Sequence, residues 1–172
     1  MKILYDAIPK SGLALDVNDS EWFPEHDCPR VGPVSAKVSL TRQEHRVFLD
    51  GRLCFVCRFV CDSCLELYDE PQDFFFKMEF EHRAAHDPHW QSEDQQCVAG
   101  EMDIEFLREP EIDLSAVLAQ QVVLSMPTKR LCSPSCRGLC PCCGLNLNKE
   151  QCVCRDQKTN SPFQVLAQVK GR

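Results

Sequence analysis

Residues 132–154, CSPSCRGLCPCCGLNLNKEQCVC, hold seven of the chain's thirteen cysteines: Cys132, Cys136, Cys140, Cys142, Cys143, Cys152 and Cys154. At the centre, Cys140-Pro141-Cys142-Cys143-Gly144 has the form C-P-x-C-G. Two thiolates three positions apart grip one ion if the chain between them turns tightly. Pro141 presets a turn dihedral, and Gly144 accepts a positive φ that lets backbone N–H groups approach the sulfurs. After eight further residues, Cys152-Val153-Cys154 supplies two more sulfurs. Four soft, deprotonated ligands suit tetrahedral zinc at about 2.3 Å per Zn–S bond, and an all-sulfur set is closed, as structural zinc sites are. The expected ligands are Cys140, Cys143, Cys152 and Cys154. Cys132 and Cys136 are alternates for the second pair, and Cys142 for a neighbour.

Disulfides or a redox-active thiol cluster are the competing readings of so many cysteines. Structural disulfides expect an oxidising compartment, and the N-terminal MKILYDAIPKSG has neither the apolar region nor the cleavage pattern of a secretory signal. No apolar run approaches the length of a membrane span. The expectation is a chain with no membrane association, in the cytoplasm.

The sequence Thr128-Lys129-Arg130-Leu131-Cys132-x3-Cys136-Arg137-Gly138-Leu139-Cys140-Pro141-x-Cys143-Gly144-x-Asn146-Leu147-Asn148-x3-Cys152-x-Cys154 resembles the C-terminal signature of the YceD family, the large ribosomal RNA accumulation proteins. Ile112-Asp113-Leu114, followed by an apolar helix and Met126-Pro127, resembles that family's IDL…LP segment, and Cys61-x2-Cys64-Leu65 its C-x-R-C-L element. Ser63 stands where the family pattern usually has a basic residue, so no charge role carries over there. Cys28, Cys54, Cys57 and Cys97 have no counterpart. The resemblance implies a non-enzymatic ribosome-biogenesis factor. Its partner would be large-subunit rRNA or a pre-ribosomal particle, with a ribosomal protein as a further candidate.

Charge divides the chain at about residue 127. Residues 1–127 carry 11 Lys+Arg against 24 Asp+Glu, a net of −13; residues 128–172 carry 8 against 2, a net of +6. Four thiolates around one zinc add a formal −2, leaving the tail at about +4. An acidic body argues against RNA coating the whole surface. The basic tail can dock phosphates or an acidic partner, with Lys129, Arg130, Arg137, Lys149 and Arg155 as candidate contacts. A solvated basic terminus is the plainer reading. The expected organisation is a body over residues 1–127 and a basic, zinc-binding tail over residues 128–172.

The body reads as strands. Leu13, Leu15 and Val17 alternate, as do Val34, Ala36, Val38 and Leu40. Val47 and Leu49 precede Asp50-Gly51, and Leu53, Phe55, Cys57 and Phe59 follow. Asp-Gly between alternating runs predicts a hairpin over residues 45–61. Phe74, Phe76, Met78 and Phe80 share one face of a further strand, and residues 102–107 form another. Asp113 is a good N-cap for a helix over residues 113–126, with Leu114, Val117, Leu118, Val122 and Met126 on one face and Pro127 ending it. The predicted fold is α+β: an antiparallel, partly barrel-like sheet, one main packing helix and a Cys-rich C-terminal segment.

Cys61-Asp62-Ser63-Cys64 ends the second hairpin strand. A thioredoxin-like redox pair expects a following helix, whereas Glu70-Pro71 and another strand come next. The pair is otherwise half of a second metal site, with Cys54 and Cys57 or with tail sulfurs, or a pair of small buried hydrophobes. Cys54 and Cys57 face opposite sides of a regular strand, which weakens a joint site. His82, His86 and His89 sit in a polar stretch broken by Asp87-Pro88 and read as a solvated loop. Phosphate-loop, nucleophile-elbow and H-E-x-x-H motifs are absent from the sequence, and no enzymatic activity is expected. The alternative function is a cytoplasmic thiol redox or metal-sensing protein using Cys61, Cys64 and the tail thiols.

Overall fold

A computed structural model describes residues 1–44, 46–82 and 104–154. In chain order the elements are β1 (Lys2–Leu4), a 3-10 turn (Tyr5–Ala7), β2 (Leu13–Val17), β3 (Ser35–Gln43), β4 (Arg46–Val60), β5 (Leu67–His82), β6 (Ile104–Leu107), β7 (Glu111–Asp113) and α1 (Leu114–Ser125). Two compact units are formed. Residues 1–58 and 69–126 make the first; residues 59–68 and 127–172 make the second.

Apolar alternation produces the first unit's sheet, with strand order β2-β3-β4-β5-β6. Ala36, Val38 and Leu40 on β3, Val47, Leu49, Leu53 and Phe55 on β4, and Phe76 and Phe80 on β5 are buried. Their polar neighbours in sequence point outward, as a period of two requires. The sheet is mixed, which corrects the antiparallel expectation: Glu79 pairs with Ile104 and His82 with Leu107 in parallel register. Twenty-one residues separate those strands, enough chain for the crossover a parallel pair needs. The sheet is also open rather than barrel-like, because β2 and β6 are its two edges among the described residues. A separate two-stranded ribbon, which alternation did not reveal, pairs β1 with β7.

The Asp50-Gly51 hairpin turn is likewise corrected. Both residues lie inside β4, paired with Ser39 and Val38 of β3, and the chain reverses at Glu44, whose φ is 51°. Gly51 is needed for a different reason. A Cβ at that position would come within 2.9 Å of Phe76 Cε2 and closer still to its Cε1 and Cζ. Glycine in a strand interior commonly marks such a close approach.

The helix forms as its sequence suggests. Asp113 accepts hydrogen bonds from the N–H groups of Ser115 (3.1 Å) and Ala116 (3.3 Å), satisfying two donors of the first turn. Leu114, Val117, Leu118 and Val122 form its buried face, and Met126 is already extended ahead of Pro127. Gln121 Nε2 donates to Met78 Sδ at 3.4 Å, tying α1 to β5. No described helix is long and apolar enough to cross a membrane.

Candidate metal centres

In the second unit the cysteines gather into two groups of four, each able to hold a metal ion. Cys140, Cys143, Cys152 and Cys154 form one; Cys61, Cys64, Cys132 and Cys136 form the other. Within each group all the sulfurs lie within 4.8 Å of one another. Cys132 and Cys136, the alternates for the tail pair, thus fall in the group of Cys61 and Cys64. Cys142 is exposed and lies outside both groups, with its backbone N–H donating to Cys140 Sγ at 3.4 Å.

Local backbone geometry places these thiols. Around the tail group, the Cys140 N–H donates to Leu145 O at 2.8 Å and the Gly144 N–H to Cys140 O at 2.9 Å. Gly144 has φ of 73°, the left-handed geometry that closes this turn. Cys152 Sγ lies 3.3 Å from Cys140 Sγ and 3.5 Å from Cys143 Sγ. In the other group Cys61 Sγ lies 3.7 Å from Cys136 Sγ, and Cys64 Sγ 3.6 Å from Cys132 Sγ.

Electrostatics in both groups favour a cation. Backbone N–H groups of Cys143 and Cys142 bring the Cys140 thiol down to about 6, and the N–H of Cys132 chiefly brings Cys61 down to about 6. Hydrogen bonding with Cys64, then burial, pushes Cys132 up to about 12; Cys152 and Cys143 do the same to Cys154. One sulfur per group ionises readily while Cys64 and Cys132, or Cys152 and Cys154, resist adding charge, a conflict that a bound dication removes.

Polar side chains brace the sulfurs. Asn148 Nδ2 donates to Cys136 Sγ at 3.4 Å, while Asn148 Oδ1 accepts the Arg137 N–H at 2.8 Å. Asn146 Nδ2 and Lys149 Nζ converge on Glu66 Oε1, at 3.3 and 2.7 Å. Gly138, with φ of 72°, lies so close to the 61–64 turn that a Cβ would meet Ser63 O at 2.9 Å. Such supporting contacts orient ligands in metal sites. Glu66 and Gly138 carried no signal that sequence spacing alone would single out.

The basic residues expected to contact a partner have unequal surroundings. Lys129 and Arg137 are exposed. The Arg130 guanidinium sits 4.8 Å over the Phe59 ring, and its backbone N–H donates to Asp62 Oδ2 at 2.7 Å. Lys149 is paired with Glu66. Arg155 lies outside the described residues, as do His86, His89 and Cys97. His82 ends β5, with its ring 6.1 Å from that of Tyr5. Cys57 is joined in a disulfide to Cys28, and the Cys54 thiol donates to Asp73 Oδ1 at 3.2 Å, so neither belongs to the Cys61 and Cys64 group.

Fold and site together define a small sheet-and-helix protein bearing paired four-cysteine clusters. The chain belongs to the YceD family, described as large ribosomal RNA subunit accumulation protein YceD, whose profile matches residues 49–170. It is similar to the large ribosomal RNA subunit accumulation protein YCED homolog 1, chloroplastic, of Zea mays, with 28% identity over 161 residues covering 81% of this chain and 53% of the relative. The Arabidopsis thaliana protein of the same description is 26% identical over 169 residues, covering 84% of this chain and 50% of the relative. The chain therefore spans about half the length of these curated relatives. No solved structure matches it.

Proposed function

We propose that this chain is a non-enzymatic ribosome-biogenesis factor that supports accumulation of large-subunit ribosomal RNA. One observation carries the reading: the family match over residues 49–170 encloses both cysteine groups and the basic residues beside them. In this reading zinc bound by Cys140, Cys143, Cys152 and Cys154 orders a basic segment that contacts rRNA or a pre-ribosomal protein. A small unit with few buried apolar side chains among its described residues gains most from such a site, since structural zinc can supply folding free energy on the order of 10 kcal/mol. The reading keeps the cytoplasmic location expected from the sequence, although the Cys28–Cys57 disulfide is of the kind an oxidising compartment favours. The two plant relatives, by contrast, carry a chloroplastic description.

Ultraviolet crosslinking of the tagged full chain in its native cells, with sequencing of the attached RNA, tests the reading. Discrete large-subunit rRNA sites that disappear when Cys140 and Cys143 become Ser are the expected result. Background RNA would sink the RNA contact and leave a protein partner. The Cys61 and Cys64 sulfurs, within 4.8 Å of each other in a C-x-x-C turn, carry a second reading, a thiol redox or metal-sensing protein. Rapid disulfide formation between Cys61 and Cys64 at mild potential, with no thiols released by chelation, would select it.

A further inference from the structure

We propose that Cys61, Cys64, Cys132 and Cys136 hold a second structural zinc ion, distinct from the one assigned to Cys140, Cys143, Cys152 and Cys154. The turn at Cys61 repeats the turn at Cys140 bond for bond. In each, the first cysteine's N–H donates to the carbonyl five residues on: Cys61 to Glu66 at 2.9 Å, and Cys140 to Leu145 at 2.8 Å. In each, the N–H of the residue after the C-x-x-C pair donates back to the first cysteine's carbonyl. Leu65 to Cys61 and Gly144 to Cys140 are both 2.9 Å. Both of those residues have positive φ, 59° at Leu65 and 73° at Gly144. This is the turn that aims two sulfurs at one point, and the first copy is hidden in the sequence because Leu65 takes the position glycine usually fills.

Sulfur geometry fits zinc. Zinc at about 2.3 Å from four sulfurs in a tetrahedron spaces those sulfurs about 3.8 Å apart. The cross-pair distances, 3.7 Å for Cys61–Cys136 and 3.6 Å for Cys64–Cys132, match that edge. A disulfide requires roughly 2.05 Å between the sulfurs. Four thiolates with no imidazole or carboxylate among them suit zinc, whereas magnesium and calcium require oxygen.

The surroundings favour a fixed site over a redox pair. The Asp62 N–H donates to Arg130 O at 2.8 Å and its carboxylate accepts the Arg130 N–H, which binds the Cys61 turn to the chain entering Cys132. The Leu139 N–H donates to Ser63 O at 3.0 Å, which binds the same turn to the chain leaving Cys136. Asn148 then caps Cys136 Sγ. Both cysteine pairs are thus held to one another across about 68 residues of sequence, and the ion would close that long loop.

Metal content of the full chain, purified without oxygen from zinc-supplied cells and weighed by native mass spectrometry, tests the proposal. Wild type is expected to carry two zinc ions. The Cys132→Ser, Cys136→Ser double variant should carry one, and so should Cys140→Ser, Cys143→Ser, which keeps the ion proposed here. A wild-type chain with one zinc that survives loss of Cys132 and Cys136 overturns the second site and spares the first. If the Cys140 and Cys143 variant alone retains the wild-type count, the tail assignment fails instead. Should a variant not fold, cobalt titration of the wild-type apoprotein decides. Tetrathiolate bands growing to two equivalents support the proposal, and saturation at one overturns it.

Discussion

Leu65 occupies in one four-cysteine group the backbone position that Gly144 occupies in the other, with φ of 59° against 73° and the same 2.9 Å N–H···O bond. A left-handed conformation costs a branched L-residue about 1 kcal/mol that glycine escapes. Leu65 is also 63% exposed, so trimming it loses little burial. Leu65→Gly is therefore expected to tighten the Cys61 turn by roughly 0.5 kcal/mol, after glycine's larger unfolded-state entropy is subtracted. Gly144→Ala should loosen its turn by about 1 kcal/mol from backbone strain alone, because no atom of the described residues lies within 4 Å of the new Cβ. Chelator competition against each variant reads both effects. Shifts of the same sign would refute the equivalence of the two turns.

Gly51 and Phe76 make a second prediction. Any side chain on Gly51 collides with the Phe76 ring. Gly51→Ala should destabilise the first unit by about 1–3 kcal/mol, the usual range for overpacking a filled core. Phe76→Leu should relieve part of that cost, so a double-mutant cycle in urea should show coupling between the sites. Additive effects would mean that the ring has room to move aside.

Strand periodicity was legible wherever one face is buried, and so was the helix, where Asp113 and Pro127 mark both ends. The Asp50-Gly51 dipeptide misled because two demands favour the same residue: a hairpin turn wants Gly for its positive φ, while β4 wants it for the space Phe76 takes. Parallel pairing of β5 with β6 depends on chain between them that shows no periodic pattern. In the tail, spacing suggested the Cys140, Cys143, Cys152 and Cys154 set, and the structure brings those sulfurs together. The partnership of Cys61 and Cys64 with Cys132 and Cys136 stayed one option among several. It is a long-range contact, carried by the Asp62 bonds to Arg130 and by Gly138 against Ser63, and no local rule encodes it.

Cys54 offers a test by pH. Burial, then its bond to Asp73, pushes this thiol above its ordinary value. Arg52, bound to both carboxylate oxygens at 2.8 and 2.7 Å, with help from Cys54, holds Asp73 down at about 2. A depressed carboxyl adds stability above its unfolded value of about 3.9 and loses it as pH falls through the folded value, so this contact persists through mild acid. The raised thiol behaves oppositely: its contribution holds below the unfolded thiol value and fades as pH rises through the folded one. Alkylation of Cys54 should therefore begin at a higher pH than for a free thiol, and Asp73→Asn should lower that onset part of the way. An unchanged onset in the variant would remove Asp73 from the account.

On the proposed rRNA contact, the basic residues near the cysteines should separate into two kinds when binding is measured against salt. Each lysine or arginine that neutralises a phosphate steepens the salt dependence by about one counterion. Lys129 and Arg137 are exposed, so Lys129→Ala and Arg137→Ala are each expected to reduce the slope by about 1 while leaving the fold intact. Arg130 is committed to Phe59 and Lys149 to Glu66. Lys149→Ala should release the Glu66 carboxyl toward its ordinary value, because the Lys149 bond is the main cause of its depression. It should also loosen the contact between the 145–149 loop and the Cys61 turn, more than it changes the slope. Arg130→Ala should lower the stability of the second unit and leave the slope nearly as it was. Equal slope losses across all four variants would mean that RNA pulls Arg130 and Lys149 from their partners, and that the basic surface acts as a single electrostatic patch.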